Sequence, residues 1–414
     1  MKIRRTQPPV GYRVPLRNLL SSAARAGVER GHRESVFEPG IARHFGVRHA
    51  RAVSSGKTAL TLTLLALRRL SPRTKVIIPA YTCYSVPSAI VKAGLQVVPC
   101  DIARGSFDYD YEQLARTLDA DVLCVLSVHL FGVPSDTNRV NGLCRGTGTY
   151  VVEDAAQALG GVSDGKLLGT QADAGFFSLG RGKNITCGSG GIVITDSDGI
   201  GAAISACSAE LSPTTPTQDV SNFVTLTLLR SFISPSLYWF PAGLPFLKLG
   251  ETIFHEQFPM SSLSDFQALL LRDWAAQLAE LDAVRTRNAA YYSSHIRGAS
   301  GQQNLPYLRF PVVLPGRSAR DRVLVEQDGA ALGLSGMYPD TVAGIAQLRG
   351  RFDGLRFPEA ERVAASLITL PTHPFVSEMD RSRIVTLVND AFEHATTADD
   401  AATDVVRHTA AAQH

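Results

Sequence analysis

Over its first two-thirds the chain alternates short apolar runs with stretches of helical period, and this alternation narrows the possible folds more than any other feature of its 414 residues. Val76-Ile-Ile is followed by a helix-like stretch at 85–93, and Val97-Val-Pro and the runs 122–128, 150–152 and 191–195 read as further strands. Strands alternating with helices give a mostly parallel sheet with helices on both faces, an α/β architecture. Ligands bind such sheets in the loops at the carboxyl ends of the strands.

The texture changes near Leu263. The stretch 267–292 is rich in Leu, Ala and Arg and is expected to form one extended helix linking two domains. From 304 to 392 the strand signals thin to 308–314 and 367–370, with two helical patterns, which suits a smaller α+β domain. The expected division is a large domain over 1–275, a small C-terminal domain over 276–394, and an Ala/Thr/Asp-rich disordered tail over 395–414. The large domain includes an N-terminal segment and an apolar insertion near 210–257. Within the insertion, 226–249 is apolar and aromatic, but Pro235, Pro241 and Pro245 prevent a continuous spanning helix. It reads as a lid or dimer contact, or else as a patch that makes peripheral contact with a membrane or a lipid-linked substrate.

Composition removes several classes of function. Hydrophobic residues at 45% and charged residues at 19% are ordinary for a soluble enzyme. A net charge of +3 without a basic run gives nucleic-acid binding no electrostatic support. The six cysteines (83, 100, 124, 144, 187, 207) lack C-x-x-C spacing and histidine pairs, so neither a metal site nor a disulfide scaffold is expected. The N-terminus has no apolar core behind its two arginines, and a cytoplasmic location is expected, with membrane association through 226–249 as the alternative.

The chemistry centres on two residues. Tyr150-Val-Val-Glu-Asp154 reads as a strand whose end presents an acid, and 175–186 as a second strand running into a glycine-rich loop that carries Lys183. Pyridoxal phosphate needs both groups: an amine to form the Schiff base and a carboxylate to keep the pyridine nitrogen protonated. Either residue alone has a plain explanation, a helix cap or a surface lysine. The pair, placed at successive strand ends, does not. Ser54-Ser55-Gly56-Lys57-Thr58 has the strand–Gly–helix character of a phosphate site, to which Ser178 and Lys57 can add side-chain contacts. Gln157, three residues past Asp154, falls on the same side of a first helical turn and is expected at the cofactor's phenolic oxygen.

These motifs resemble the DegT/DnrJ/StrS-type sugar aminotransferases. The matching elements are Ser55-Gly-Lys-Thr-Ala-Leu60, Pro79-Ala-Tyr-Thr82, Val128-His-Leu-Phe-Gly132, Glu153-Asp-Ala-Ala-Gln157, Phe177-Ser178 with Lys183-Asn184 and Gly190-Gly191, and in the C-terminal part Phe357-Pro-Glu-Ala-Glu361 and Leu370-Pro-Thr-His-Pro374. The resemblance implies a fold-type-I pyridoxal-phosphate transferase with Lys183 as Schiff-base lysine and proton shuttle. It implies Asp154 at the pyridinium, Gln157 at the phenolic oxygen, and Ser178 with the Lys57 and Thr58 backbone at the phosphate. It further implies a keto-sugar acceptor, glutamate as donor and a homodimer that shares its sites. Because the lysine is kept, amination is expected rather than the dehydration run by family members that carry histidine there.

Three departures lie on the substrate or dimer side. Cys83, flanked by Tyr81 and Tyr84, stands where the family stacks an aromatic ring; Gly188-Ser-Gly-Gly191 replaces Gly-Glu-Gly-Gly; and Phe258-Pro-Met-Ser replaces the stretch that reaches the partner's cofactor. His129 is either a packed structural residue or part of the cofactor pocket. Tyr338 and His373 lie in loops that can close over a substrate, or only pack.

Overall fold

Alternate positions on β5 (Tyr150–Asp154) show how this chain places its chemistry: Glu153 and Asp154 are consecutive and point to opposite faces of the strand. The computed structural model describes residues 5–244, 252–299, 305–325 and 331–411, with side chains as far as 394. Its central sheet contains β1 (His49–Val53), β2 (Lys75–Pro79), β3 (Gln96–Cys100), β4 (Val122–Val128), β5, β8 (Ala174–Ser178) and β9 (Gly191–Thr195). The two-residue strands β6 (Val162–Ser163) and β7 (Lys166–Leu167) form a small hairpin between β5 and β8.

The order across the sheet is β1-β9-β8-β5-β4-β2-β3. Every pairing from β8 to β3 is parallel, and only β9 runs against its neighbours. The expectation of a mostly parallel sheet with helices is met. β4 is buried at all seven positions, as a strand covered on both faces must be, so its residues can be apolar without alternation.

The helices of this part are α1 (Leu16–Ala26), α2 (Glu38–Phe45), α3 (Gly56–Leu70), α4 (Ser85–Lys92), α5 (Tyr111–Thr117), α6 (Thr137–Cys144), α7 (Asp198–Ser208), α8 (Pro216–Phe232) and α9 (Trp239–Ala242). α3 starts where Ser55 Oγ accepts the Thr58 amide, and it is buried on most sides between β8, β9, α4 and α7. Its inward Thr61 and Thr63 spend their hydroxyls on the Lys57 and Ala59 carbonyls, so neither hydroxyl is stranded in the core. The insertion is thus helical through Phe232, with one short helix after it, while 245–251 lie outside the described residues.

The long linking helix is in fact two: α10 (Asp265–Leu270) and α11 (Trp274–His295). Ser264 and Gln267 form a capping box at the start of α10, and the turn at 271–273 lets Trp274 bury its indole against His44 and Phe45 of α2. Uninterrupted periodicity could not show that break.

Beyond α11, β10 (Arg309–Val313) pairs antiparallel with β11 (Leu367–Pro371), packed with α12 (Arg317–Val325), α13 (Pro358–Ser366) and α14 (Glu378–Ala411). Among the described residues three α-helices of two turns or more appear where two patterns were read. The α14 backbone continues as helix into the stretch expected to fray. The C-terminal part has its own core around Tyr292, Phe310 and Ile384. It also sends Tyr338, Val342, Ile345 and Leu348 into the core of the parallel sheet. At about 1.5–3 kcal/mol per buried large side chain, that contact outweighs any single hydrogen bond holding the loop.

Candidate active site

The carboxyl ends of β2, β4, β5 and β8 meet the start of α3 around a cleft of about 180 Å³. Most of the residues expected at a cofactor line it, including Gly56, Lys57, Asp154, Gln157, Ser178 and Lys183. They come from the start of α3 and from the ends of β5 and β8 with the loops that follow, yet the fold brings them to one place.

One end of the cleft is built to admit an anion. Ser55 Oγ takes the Thr58 amide and Ser55 O takes that of Ala59, so among the first helical amides those of Gly56 and Lys57 remain as donors. Thr58 itself is inside the cap, its hydroxyl 2.9 Å from Ser55 Oγ, and it does not line the cleft. A Cβ on Gly56 would meet Ser178 Cβ at 2.8 Å and Oγ at 2.9 Å, and one on Gly191 would meet Ser55 O at 2.3 Å. Two glycines therefore allow the helix start, the β8 end and the β9 start to approach closely, leaving Ser178 Oγ beside the helix N-terminus. Lys57 Nζ lies over the Phe258 ring, 4.7 Å from its centroid. Burial lowers the pKa of Lys57, with the nearby Cys83 thiol offsetting part of that.

The other end holds the acid and the amine. Asp154 is buried; its Oδ1 accepts the Ala156 amide at 3.0 Å, and among the described residues Oδ2 takes no hydrogen bond. Burial pushes this carboxyl above the usual range, against the pull of the Ala156 amide and of the nearby Lys183 and His129. A buried carboxylate with one oxygen unclaimed is what a protonated ring nitrogen needs. The donor set at both ends thus fits pyridoxal phosphate. Lys183 stands in the loop after β8, its amide bonded to Gly180 O at 3.2 Å. The next carbonyl, of Asn184, accepts Nη2 of the buried Arg285 at 2.7 Å, which ties this loop to α11.

His129 lines the cleft, but both ring nitrogens are occupied. The Ser135 amide donates to Nδ1 at 3.0 Å, so the proton lies on Nε2 and is given to Glu153 at 2.9 Å. Only the ring itself is left for a ligand. Glu153, pointing away from Asp154, also accepts the Gly169 amide at 3.0 Å and the Gln171 amide at 2.5 Å. Gln157 is placed by a series of turns after β5, not by the helical turn expected there, and its Oε1 accepts the Phe131 amide at 3.1 Å.

The aromatic neighbours of Cys83 do not enter the cleft. Cys83 lines it, whereas Tyr81 and Tyr84 turn behind it and pack on Tyr338, with ring centroids 5.9 Å and 6.4 Å away. The Tyr84 hydroxyl donates to Asp340 O, and burial pushes its pKa up to about 12. Of the two readings of Tyr338, the structure has the packed one: it is 1% exposed and lies behind the cleft wall, because its ring completes the Tyr81–Tyr84–Phe131 cluster. His373 likewise lies away from the cleft. Its Nε2 donates to Pro8 O at 2.8 Å and burial lowers its pKa to about 3, so it is a neutral anchor for the N-terminal segment. Thr82 was missed as a lining residue: it is buried at the cleft wall and its hydroxyl has no hydrogen-bond partner among the described residues. Only its place in the Pro79–Thr82 motif marked it. A second cleft, of about 370 Å³ beside β1 and β9, carries charges already matched with one another, such as Arg51 with Glu38 at 3.2 Å.

The sequence profile described as the DegT/DnrJ/EryC1/StrS aminotransferase family matches residues 16–220 and 249–389. The chain is 27% identical over 370 residues to a UDP-N-acetyl-3-dehydro-alpha-D-glucosamine 3-aminotransferase of Acidithiobacillus ferrooxidans, covering 86% of this chain and 88% of that protein. It is 34% identical over 169 residues to a GDP-perosamine synthase of Vibrio cholerae, a match that spans 41% of this chain and 46% of that one. In fold it is similar to DesI solved with its TDP-sugar product (TM-score 0.75, 22% identity, covering 97% and 96% of the two chains). It is also similar to the sugar aminotransferase Spr1654 of Streptococcus pneumoniae in its PMP form (TM-score 0.71, 18% identity, covering 96% and 100%).

Proposed function

We infer the reaction from family and site together: the chain belongs to the DegT/DnrJ/EryC1/StrS aminotransferase family, and its cleft holds the acid, the amine and the anion cradle such a reaction needs. It is a pyridoxal-phosphate-dependent aminotransferase acting on a keto-sugar. The finer reading is that the amine comes from L-glutamate and that the acceptor is nucleotide-linked, made for a cell-surface polysaccharide or a natural product. The relatives named for UDP- and GDP-sugars support that acceptor. We further propose a cytoplasmic homodimer.

The observation that carries the reading is that the buried Asp154 carboxyl and Lys183 line one cleft with the anion cradle at the start of α3. Bound there, pyridoxal phosphate supplies an aldehyde that condenses with amines and a ring that accepts electrons. Asp154 Oδ2 would hold the proton on the ring nitrogen, Gly56, Lys57 and Ser178 would hold the group by its phosphate, and Gln157 would meet the phenolic oxygen, in a cleft whose apolar lining includes Val128, Leu130 and Phe176. Lys183 Nζ takes and returns a proton at the reacting carbon, which requires its neutral form for part of the cycle.

Absorbance of the purified protein between 300 and 500 nm, before and after L-glutamate, tests this. We expect a visible band that glutamate converts to the pyridoxamine form, and its loss, together with all turnover, in Lys183→Ala. A band indifferent to glutamate would instead point to elimination chemistry or to another donor. Wild-type turnover in Lys183→Ala would remove the mechanism.

A further inference from the structure

Gln157 is held by two partners from distant parts of the chain, one just after β4 and the other in the C-terminal part. Its Oε1 accepts the Phe131 amide at 3.1 Å. Because a backbone N–H can only donate, this contact decides which end of the amide is oxygen. Its Nε2 then donates to the Tyr338 hydroxyl at 2.8 Å, across 181 positions of sequence. An amide nitrogen carries two hydrogens. With the first given to Tyr338, the second is left for the cleft that Gln157 lines.

Tyr338 is seated by the loop that carries it. Its own amide donates to the Tyr81 hydroxyl, its ring lies 6.3 Å from that of Phe131 at an interplanar angle of 17°, and Val342 N donates to Ala80 O at 2.8 Å. The Cys83 thiol lies within reach of the same hydroxyl. The Tyr338 oxygen therefore cannot move without moving this cluster, and Gln157 cannot turn its amide without losing the oxygen.

We propose that Tyr338 is a positioning residue: its hydroxyl locks the Gln157 amide so that the second N–H meets the cofactor's phenolic oxygen, linking the seating of the 338–348 loop to the proton affinity of the bound cofactor. The proposal rests on the reading above that Gln157 faces that oxygen. A donor on a phenolate stabilises its charge and weakens its hold on the neighbouring imine proton, so a looser donor raises the pH at which the visible band changes.

The test is a pH titration of the visible absorbance of holoenzyme. Tyr338→Phe keeps the ring and removes one oxygen. Its midpoint is expected to rise by roughly 0.5–1 pH unit, about a three- to tenfold change in proton affinity. Tyr292→Phe, which removes a buried hydroxyl bonded to Pro371 O in the C-terminal core, should leave the midpoint in place. Gln157→Ala should move it at least as far as Tyr338→Phe, and adding Tyr338→Phe to that background should move it no further. Should Tyr338→Phe not fold, 3-fluorotyrosine at 338 weakens the hydroxyl as an acceptor and must shift the midpoint the same way. A midpoint that Gln157→Ala moves and neither change at 338 does would overturn the positioning role while leaving the cofactor reading intact. No visible band in wild-type protein supplied with pyridoxal phosphate would sink both.

Discussion

At the scale of single residues, the site depends on what is missing as much as on what is present. Gly56 has no Cβ because Ser178 fills that space, and Gly191 has none because the Ser55 carbonyl does. Gly56→Ala should weaken pyridoxal phosphate binding at least tenfold, about 1.4 kcal/mol, because its Cβ would meet Ser178 Cβ at 2.8 Å, an atom that moves only with the end of β8. Titration of the apo form by cofactor fluorescence measures it, and an unchanged affinity would mean the cradle is not the phosphate site. Asp154, Lys183, Ser178 and the Gly56 turn were legible in sequence because each lies at a strand end or helix start, positions that local pattern marks. Tyr338 and His373 were not. Both were placed in loops, and whether a loop residue faces a cleft or a core depends on partners hundreds of positions away.

At the scale of elements, the N-terminal segment works as a strap. Arg5 pairs with Asp380 at 2.5 and 2.8 Å, Gln7 reaches Phe375 O and Asp380, and Pro8 O takes the His373 proton. Two of these groups give the strap a pH dependence of known sign. The folded state holds His373 neutral down to about 3 because burial disfavours its charge. The unfolded chain protonates it near 6.5, so stability is complete above 6.5 and declines towards pH 3, by at most about 1.4 kcal/mol per pH unit. For Asp380, burial alone would raise the pKa, but the Arg5 and Ser377 hydrogen bonds outweigh it and hold it at about 2. Its contribution is present above the unfolded value near 3.9 and is lost as pH falls through 2. Urea midpoints measured from pH 7 to 4 should therefore fall, and His373→Gln should flatten that slope. An equal slope in the variant would assign the loss to other groups.

At the scale of the molecule, one apolar surface stays exposed among the described residues. Val220, Val224 and Leu228 recur every fourth position along α8 and are 64%, 49% and 54% exposed, with Leu237 and Phe240 also exposed beyond its end. No helix among the described residues is long and apolar enough to cross a membrane. If this face is the dimer contact, sedimentation should show two chains, and Val224→Glu with Leu228→Glu should give one. A monomeric wild type that floats with anionic vesicles would assign the face to a membrane surface instead. The sequence by itself determined the alternation, the order of the strands along the chain and the ends at which chemistry would sit, because buried parallel strands and capped helix starts write themselves into local pattern. Only the tertiary structure decided that α10 and α11 are separate, that Tyr81 and Tyr84 turn from the cleft, and that Tyr338 holds Gln157. Each of those outcomes is a contest between neighbours that meet only once the chain has folded, and no periodicity within one segment records which neighbour wins.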